Sequence, residues 1–342
     1  MILAIHKSDE RSFSKKWIEY CEINDINYKL VDCYSTNIIQ DLSDCNILMW
    51  HWKQTDYKGI LFARQLVYSL ELMGKKVFPN SRTCWHFDDK VGQKYLLESI
   101  SAPLINSYVF YDKKSALDWV ANTSFPKVFK LRTGAGSENV HLVKTKNKAE
   151  KLIGKAFNKG FTNRNRSYIF KERLWWFQRD KTLKTFLEIL KGVFRLLVRN
   201  NDEIFAPKEM NYVYFQDFIP QNDCDIRVIV IGMRAFAIKR MIRENDFRAS
   251  GSGFIKYSPK EIPIECIEIA FDISYKLKAQ CLAYDFVFLN NEAKLIEISY
   301  GFSRKGYLDC EGYWDNSLNW IEGRFTPEYF MIEDIVEDIH SV

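Results

Sequence analysis

Asp285 and Glu297 lie near the two ends of YDFVFLNNEAKLIEIS, residues 284–299, where apolar residues alternate on either side of an Asn-rich turn. With a three-residue turn over Asn290 to Glu292, Leu289 faces Ala293. Counting back along both strands then sets Asp285 opposite Glu297 on one face. Directly opposed side chains in an antiparallel pair lie about 5 Å apart at Cβ, where like charges repel, so this pairing asks for a cation between the acids. Lys294 cannot supply it, because it alternates to the other face with Phe286, Phe288, Ile296 and Ile298, which read as the buried side. Ser299 returns to the acidic face and adds a neutral oxygen. Asp285, Glu297 and Ser299 form a set of hard oxygens that suits Mg²⁺ or Mn²⁺, which bind through one or two carboxylates together with substrate phosphates and water. The competing reading is a solvated hairpin face whose acids only keep an edge soluble.

A second group of residues could meet a phosphate. KVFKLRTGAGSENVHLV places Gly134 and Gly136 between two strands, with Lys130 just ahead and Ser137 following. Glycine allows the positive-φ turns that aim successive N–H groups at an anion, and a nearby lysine adds a point charge. The loop has neither the strand-to-helix setting of a dinucleotide fingerprint nor the Gly-Lys-Ser/Thr of a P-loop, and a plain hairpin turn would look the same.

The elements that must position these residues fall into an order. ILAIH, FSKKWIEYCEIN, YKLVDCY, NILMWHW, GILFARQLVYSLELMG and KVFPN read as strand, helix, strand, strand, helix, strand, the makings of a small parallel α/β sheet. DDKVGQKYLLESI reads as a helix with acids in its first turn. INSYVFYD, ALDWVANT, PKVFKLRTG, NVHLVKT and KAEKLIGKAFNKG continue as a compact α+β lobe. VYFQDFI, IRVIVIG and RAFAIKRMI are strands, and a helical run, EIPIECIEIAFDISYKLKAQ, leads into the acidic hairpin. The expected division is an α/β domain over 1–87, a small lobe with the glycine loop over 88–172, a basic amphipathic insertion over 173–207, and a large lobe with the acids over 208–342.

The insertion stands out by charge. The 342-residue chain has 49 basic and 44 acidic side chains, a formal charge of +5. Between Arg173 and Arg199 alone, seven basic residues meet two acidic ones, Asp180 and Glu188, an excess equal to that of the whole chain. In LKTFLEILKGVFRLLVR, Lys184, Glu188, Lys191, Arg195 and Arg199 recur at steps of four and three, putting them on one helix face with apolar residues around the rest. With LWWFQR before it, the segment fits peripheral contact with an anionic membrane surface; a helix packed on the protein with its basic face in water is the alternative. Nucleic acid is not an expected partner, since the basic excess lies on one helix without a recognition module. The eight cysteines form no C-x-x-C pair, the amino terminus lacks a signal-peptide core, and no run of 18 apolar residues occurs, so a soluble, cytoplasmic protein is expected, with the inner membrane face as its possible station.

Taken in order, Lys90 leading a helix, Lys130 before the glycine loop, the extended FQDFIP, DIRVIVIG, IKR, DFRAS and the hairpin ending in EIS resemble the ATP-grasp superfamily. The branch most resembled is that of ribosomal-protein glutamate ligases and glutathione-synthetase-like enzymes, over roughly Asp88 to Phe302, with the first domain similar in kind to the family's pre-ATP domain. The resemblance implies an α/β and α+β chain in which two lobes sandwich ATP. Lys90 and Lys130 match the family's phosphate lysines, and Gly134, Gly136 and Ser137 its loop over the triphosphate. Gln216, Asp217, Phe218 and Ile219 match the hinge that bonds adenine. Asp225 matches an acid on the ribose side, Lys239 of IKR joins the nucleotide set, and Arg248 matches an arginine near the transferred phosphate. Asp285 and Glu297 match the Mg²⁺ ligands. Two departures stand out: Ser299 occupies the place of an asparagine, a weaker ligand, and Gln216 that of a common acid, though its carbonyl can accept from the adenine amino group.

The resemblance also implies a reaction: the γ-phosphate activates a carboxylate as an acyl phosphate, and an amine displaces phosphate. Lys90, Lys130, Arg248 and the metal would supply the positioning and neutralisation that phosphoryl transfer needs. Arg227 and Arg240 are candidates for holding an anionic substrate. His51 and His86 read as structural. The Tyr/Trp-rich GYLDCEGYWDNSLNW, expected to close over the site, suits sugars as well as aromatic packing and resembles ligases of bacterial surface-polysaccharide synthesis. That points to small-molecule carboxylate and amine substrates, with a carboxylated sugar, free or nucleotide- or lipid-linked, as the acid. The alternatives are a peptide-modifying ligase and a non-catalytic nucleotide-binding protein.

Overall fold

The computed structural model describes residues 1–9, 12–134, 139–162, 166–197, 207–243, 247–249 and 251–340. Strands β1 (Leu3–His6), β2 (Tyr28–Val31), β3 (Ile47–Met49) and β4 (Lys76–Phe78) form a parallel sheet in the order β2-β1-β3-β4, with helices α1 (Ser14–Ile23), α2 (Ile38–Asp41) and α3 (Tyr57–Leu72) in the crossovers. Leu3, Ala4, Ile5, Leu48 and Met49 are fully buried, as befits strands covered on both faces. His51 belongs to this packing: its ring stacks on Phe13 at 3.8 Å, its Nδ1 accepts the Phe13 N–H, and burial lowers it to about 3. His86 is likewise buried and lowered to about 4.

The small lobe follows helix α4 (Ser81–Cys84). Helix α5 (Lys90–Ser99) starts two residues later than the two acids suggested: Asp89 is its cap, accepting from the Gly92 N–H, and Asp88 lies outside it at φ +54. Then come β5 (Ser107–Phe110), α6 (Lys113–Asn122), β6 (Lys127–Lys130), β7 (His141–Val143) and α7 (Lys146–Ala156). Two helices, α8 (Arg166–Asp180) and α9 (Leu183–Leu197), precede β8 (Val213–Asp217), which enters the small sheet between β5 and β6, giving the order β5-β8-β6-β7. Ala116, Val120, Ala149 and Ile153 press α6 and α7 onto Phe129 and Phe215.

The large sheet is built from β9 (Cys224–Ile231), β10 (Arg234–Met241), β11 (Ile255–Lys256), β12 (Cys281–Leu289), β13 (Glu292–Ser299), β14 (Gly312–Asp315) and β15 (Trp320–Glu322). Its order is β13-β12-β9-β10-β14-β15, with β11 on the end of β10. Helix α10 (Ile264–Leu277) buries Cys266, Ile267, Ala270 and Ile273 against it, and α11 (Pro327–His340) packs beside α1. Most of the aromatic tail packs away from the cleft, with only Tyr307, among the described residues, buried beside Arg227, Arg240 and Asp285. Trp314 and Trp320 meet edge to face at 4.6 Å, Tyr313 contacts Phe325 and Phe330, and β14 and β15 lengthen the sheet, because their rings find apolar partners there.

The insertion is a pair of helices rather than one. LWWFQR, expected as a lead-in, is the body of α8, anchored where Arg243 lies over the Trp175 ring at 3.9 Å and bonds Glu172 at 2.6 Å. Arg179 Nη1 adds a bond to the Ser252 carbonyl at 2.9 Å. Arg199 lies outside the described residues.

Candidate functional site

The acidic hairpin reaches the expected pairing by another route. Its turn has two residues, Asn290 and Asn291, both at positive φ (53° and 66°), so that Leu289 pairs with Glu292. A bulge between Asp285 and Phe286 then restores the register, and Asp285 stands opposite Glu297. The bulge also turns Ile296 away from the buried side, so that it lines the cleft between the lobes with Val287, while Ala293, Leu295 and Ile298 are buried.

Charges of both signs cross this face of the large sheet strand by strand. Arg240 pairs with Asp225 across β10 and β9, Arg227 with Asp285 across β9 and β12, and Asp285 with Glu297 across β12 and β13. Arg240 grips Asp225 through two bonds of 2.6 Å and reaches Asp285 at 3.1 Å, while Arg227 holds both Asp285 oxygens. Burial works to raise the Asp285 carboxyl, but the two guanidinia win and hold it down at about 2. Glu297 faces Lys90, with 3.8 Å between its Oε2 and the ammonium. The cation demanded by the opposed acids is thus supplied from both sides by the protein itself.

Across the cleft, Lys90 and Lys130 come together with Gly134. Lys90 Nζ donates to the Gly134 carbonyl at 2.7 Å, and the Gly134 N–H donates to Asp88 at 2.8 Å, so the start of the loop is clasped at both ends of one residue. Gly134 has φ +108°, a conformation that a side chain strains. Gly134→Ala is therefore expected to weaken ADP binding about five- to hundredfold, from about 1–3 kcal/mol of strain; isothermal titration against wild type measures it. Gly136 and Ser137 lie outside the described residues.

Lys130 is buried and donates to Gln216 Oε1 at 2.7 Å. Burial, joined by repulsion from Lys90, lowers its ammonium to about 8 against the pull of Glu297. Gln216 therefore carries out a different task from the one expected of it. Its carbonyl serves Lys130 and its amide reaches Ser107 and the Ile296 carbonyl, at 3.1 and 3.4 Å. Asp217, Phe218 and Ile219 line the cleft as a strand end and hinge, with the Asp217 carboxylate held by Lys127 at 2.6 Å. Apolar Ile105, Val128, Val287 and Ile296 at this end can enclose a flat ring. Arg248 lines the cleft beside Phe247.

Two expected residues lie elsewhere. Lys239 alternates to the opposite face of β10 from Arg240 and pairs with Glu261 at 2.8 Å, away from the cleft. Ser299 gives its proton to the Gly301 carbonyl at 2.8 Å and receives Gln54 at 3.4 Å, beyond the cleft lining, so of the three oxygens expected to hold a metal only those of Asp285 and Glu297 reach the cleft.

Several contributors were not foreseen. Asp88 is pushed up to about 7 by burial, against Lys90 and the Gly134 N–H, and its second oxygen has no hydrogen-bond partner among the described residues. Glu209 ties Thr133 (2.8 Å) and Tyr212 (2.6 Å) under the glycine loop, and Tyr212 accepts the Arg132 N–H. Asn222 bonds both backbone groups of Phe288, fastening hinge to hairpin at 2.7 and 3.1 Å. All are single polar residues in loops, with no periodicity to mark them.

A divalent ion fits this arrangement. Each carboxylate has lone pairs beyond those its arginine or lysine occupies, and two carboxylates facing the lysines Lys90 and Lys130 form a donor set suited to Mg²⁺ or Mn²⁺ bound partly through a nucleotide.

The profile of the RimK-like ATP-grasp domain matches residues 187–305, which takes in the hinge and both acids. No curated protein sequence matches the chain. Among solved structures, a RimK domain ATP-grasp protein from Sphaerobacter thermophilus superposes with a TM-score of 0.57 at 14% identity, covering 98% of this chain and 100% of that one. D-alanine–D-alanine ligase from Bacillus anthracis, complexed with ATP, gives 0.53 at 12%, covering 99% and 98%. The ATP-grasp ligase PsnB, complexed with its minimal precursor, Mg and ADP, gives 0.55 at 11%, covering 99% and 98%. The family supports ADP-forming ligation of a carboxylate to an amine, with ATP and Mg²⁺ or Mn²⁺ as cofactors. The chain has the ATP-grasp fold, and its residues 187–305 match the model of the RimK-like ATP-grasp domain.

Proposed function

We propose that this protein is an ADP-forming carboxylate–amine ligase whose acid substrate is a carboxylated sugar or its nucleotide- or lipid-linked form. The observation that carries the ligase reading is the facing of Asp285 and Glu297 toward Lys90 and Lys130 across one cleft. In this reading Asp285 and Glu297 hold Mg²⁺, which when bound neutralises phosphate charge. Lys90 and Lys130 bind the phosphates, the clasped Gly134 stands beside them, and Phe218, Ile219, Val128 and Val287 enclose the base. A substrate carboxylate oxygen attacks the γ-phosphorus and ADP leaves; the amine then attacks the acyl carbon, losing a proton, and phosphate departs. Arg248 orients the transferring group, and Arg227, already at the edge of the metal position, draws the anionic substrate in.

The sugar assignment rests on the tail's resemblance to polysaccharide-associated ligases, since its Tyr and Trp rings are used in packing. A panel assay decides it: ADP release is followed with uronic acids, their nucleotide-linked forms and short peptides as acids, against a set of amines. Release that depends on a uronic acid supports the proposal; release that depends only on peptide acids overturns the sugar in favour of peptide modification.

A further inference from the structure

Helix α9 turns its apolar side to water. It packs on α8 through Gly192, against the side chains of Phe170 and Arg173, and through Phe186, whose ring lies 5.7 Å from that of Phe177, and Glu188 bends toward Arg173. Spacing along the helix puts Leu183, Leu187, Leu190, Val193 and Phe194 on a continuous arc on the far side, with Phe186 at its edge touching Phe177 of α8. They are 43–75% exposed. The sequence led to the expectation of peripheral contact with an anionic membrane, or of a helix packed on the protein with its basic face in water; here part of the polar face is the joint with α8, and most of the apolar arc is exposed. Lys184 and Lys191 lie along one edge of the arc, with Lys181 just before the helix, all exposed, and Lys191 also meets Glu188 at 2.8 Å.

We propose that this arc docks on an anionic lipid surface. An apolar stripe this wide, borne on the outer helix of a hairpin and edged by lysines, matches a helix that lies in the plane of a membrane interface with its cations among acidic headgroups. Charge decides between lipid and a second copy of the chain. An antiparallel pair of such faces would set the lysine edges near one another, and either pairing meets those lysines with an apolar arc, whereas acidic headgroups satisfy them. No helix among the described residues is long and apolar enough to cross a membrane, so the contact is peripheral. The surface is independent of the nucleotide cleft, and its test does not depend on the ligase reading.

The test is co-sedimentation of the full chain with vesicles of phosphatidylglycerol and phosphatidylcholine in equal parts, beside vesicles of phosphatidylcholine alone. Binding is expected to the anionic vesicles and to fall as salt rises from about 0.1 to 1 M, over which the screening length drops from about 10 to 3 Å. Lys184→Ala and Lys191→Ala should each weaken it about fivefold, and the pair Leu190→Glu with Phe194→Glu should lose it while Mg²⁺-dependent ADP binding stays at the wild-type level. Leu190→Ser with Phe194→Ser provides the same reading should the charged pair fail to fold. Absence of binding to anionic vesicles overturns the proposal, as does binding unchanged in the apolar-face variants. Light scattering that shows a dimer split by those variants overturns it in favour of a second copy.

Discussion

Asp285→Asn is expected to destabilise the protein by about 3–5 kcal/mol, while Glu297→Gln leaves stability within about 1 kcal/mol of wild type. The difference follows from what each acid holds. Asp285 is buried, and two guanidinia converge on it; Arg240 retains Asp225, but Arg227 would lose both of its bonds to a carboxylate inside the fold. The Glu297 side chain is 34% exposed and meets only the Lys90 ammonium, at 3.8 Å. Both variants should nevertheless lose the gain in ADP affinity that Mg²⁺ confers, by at least the ~10–100-fold that disturbing a metal's supporting groups costs. Thermal unfolding without nucleotide and titration of ADP with and without Mg²⁺ separate the effects. Equal stability losses in the two variants would place Arg227 outside the charge relay described above, and a Glu297→Gln protein with unchanged Mg²⁺ dependence would remove that residue from the metal set.

Nucleotide binding is expected to weaken about tenfold per pH unit above about pH 8, because Lys130 must be charged to meet a phosphate. The sign is set by burial. Lys130 in the free protein is lowered to about 8, and a bound phosphate stabilises its ammonium, so the complex holds the proton at pH values where the free protein has shed it. Binding then takes up a proton above pH 8 and none well below it. Titration of ADP in two buffers of different ionisation enthalpy reads that uptake directly. Lys130→Met should lower affinity about 10- to 100-fold at pH 7, from about 1.5–3 kcal/mol for a hydrogen bond to a charged group, and should flatten the profile above pH 8. A wild-type affinity that does not change between pH 7 and 9.5 would show that Lys130 does not meet the phosphates.

How much of this was legible in the sequence differs by residue. The parallel sheet of the first domain could be read because its strands and helices differ in period and its strands are apolar throughout. The facing of Asp285 and Glu297 was also legible, although through two local errors that cancel: a two-residue Asn-Asn turn shortens the hairpin by one place, and the bulge after Asp285 returns it. Nothing in the alternation distinguishes a long turn from a short turn with a bulge, and only Ile296 reveals the difference, by changing sides. Lys239 was misplaced because a motif was carried over as a block, where strand alternation puts neighbours on opposite faces and only Arg240 could reach Asp225. Helix α8 was missed because its aromatic residues are spread around the helix rather than gathered in a stripe; it is held by Arg243 and Arg179 stacking and bonding to the 241–254 segment. The clasp on Gly134 joins residues 46 positions apart, and a lone buried aspartate before a helix carries no mark of the loop it will hold.

The central claim is that a divalent ion sits between Asp285 and Glu297 with a nucleotide running from the 216–219 hinge to Lys90 and Lys130. An anomalous difference map from crystals grown with Mn²⁺ and ADP tests it most directly. The expected result is a Mn²⁺ peak about 2.0–2.2 Å from oxygens of both carboxylates, with the diphosphate within hydrogen-bond reach of the Lys130 ammonium. A peak bound away from either acid, or an ADP outside the cleft, would contradict the account.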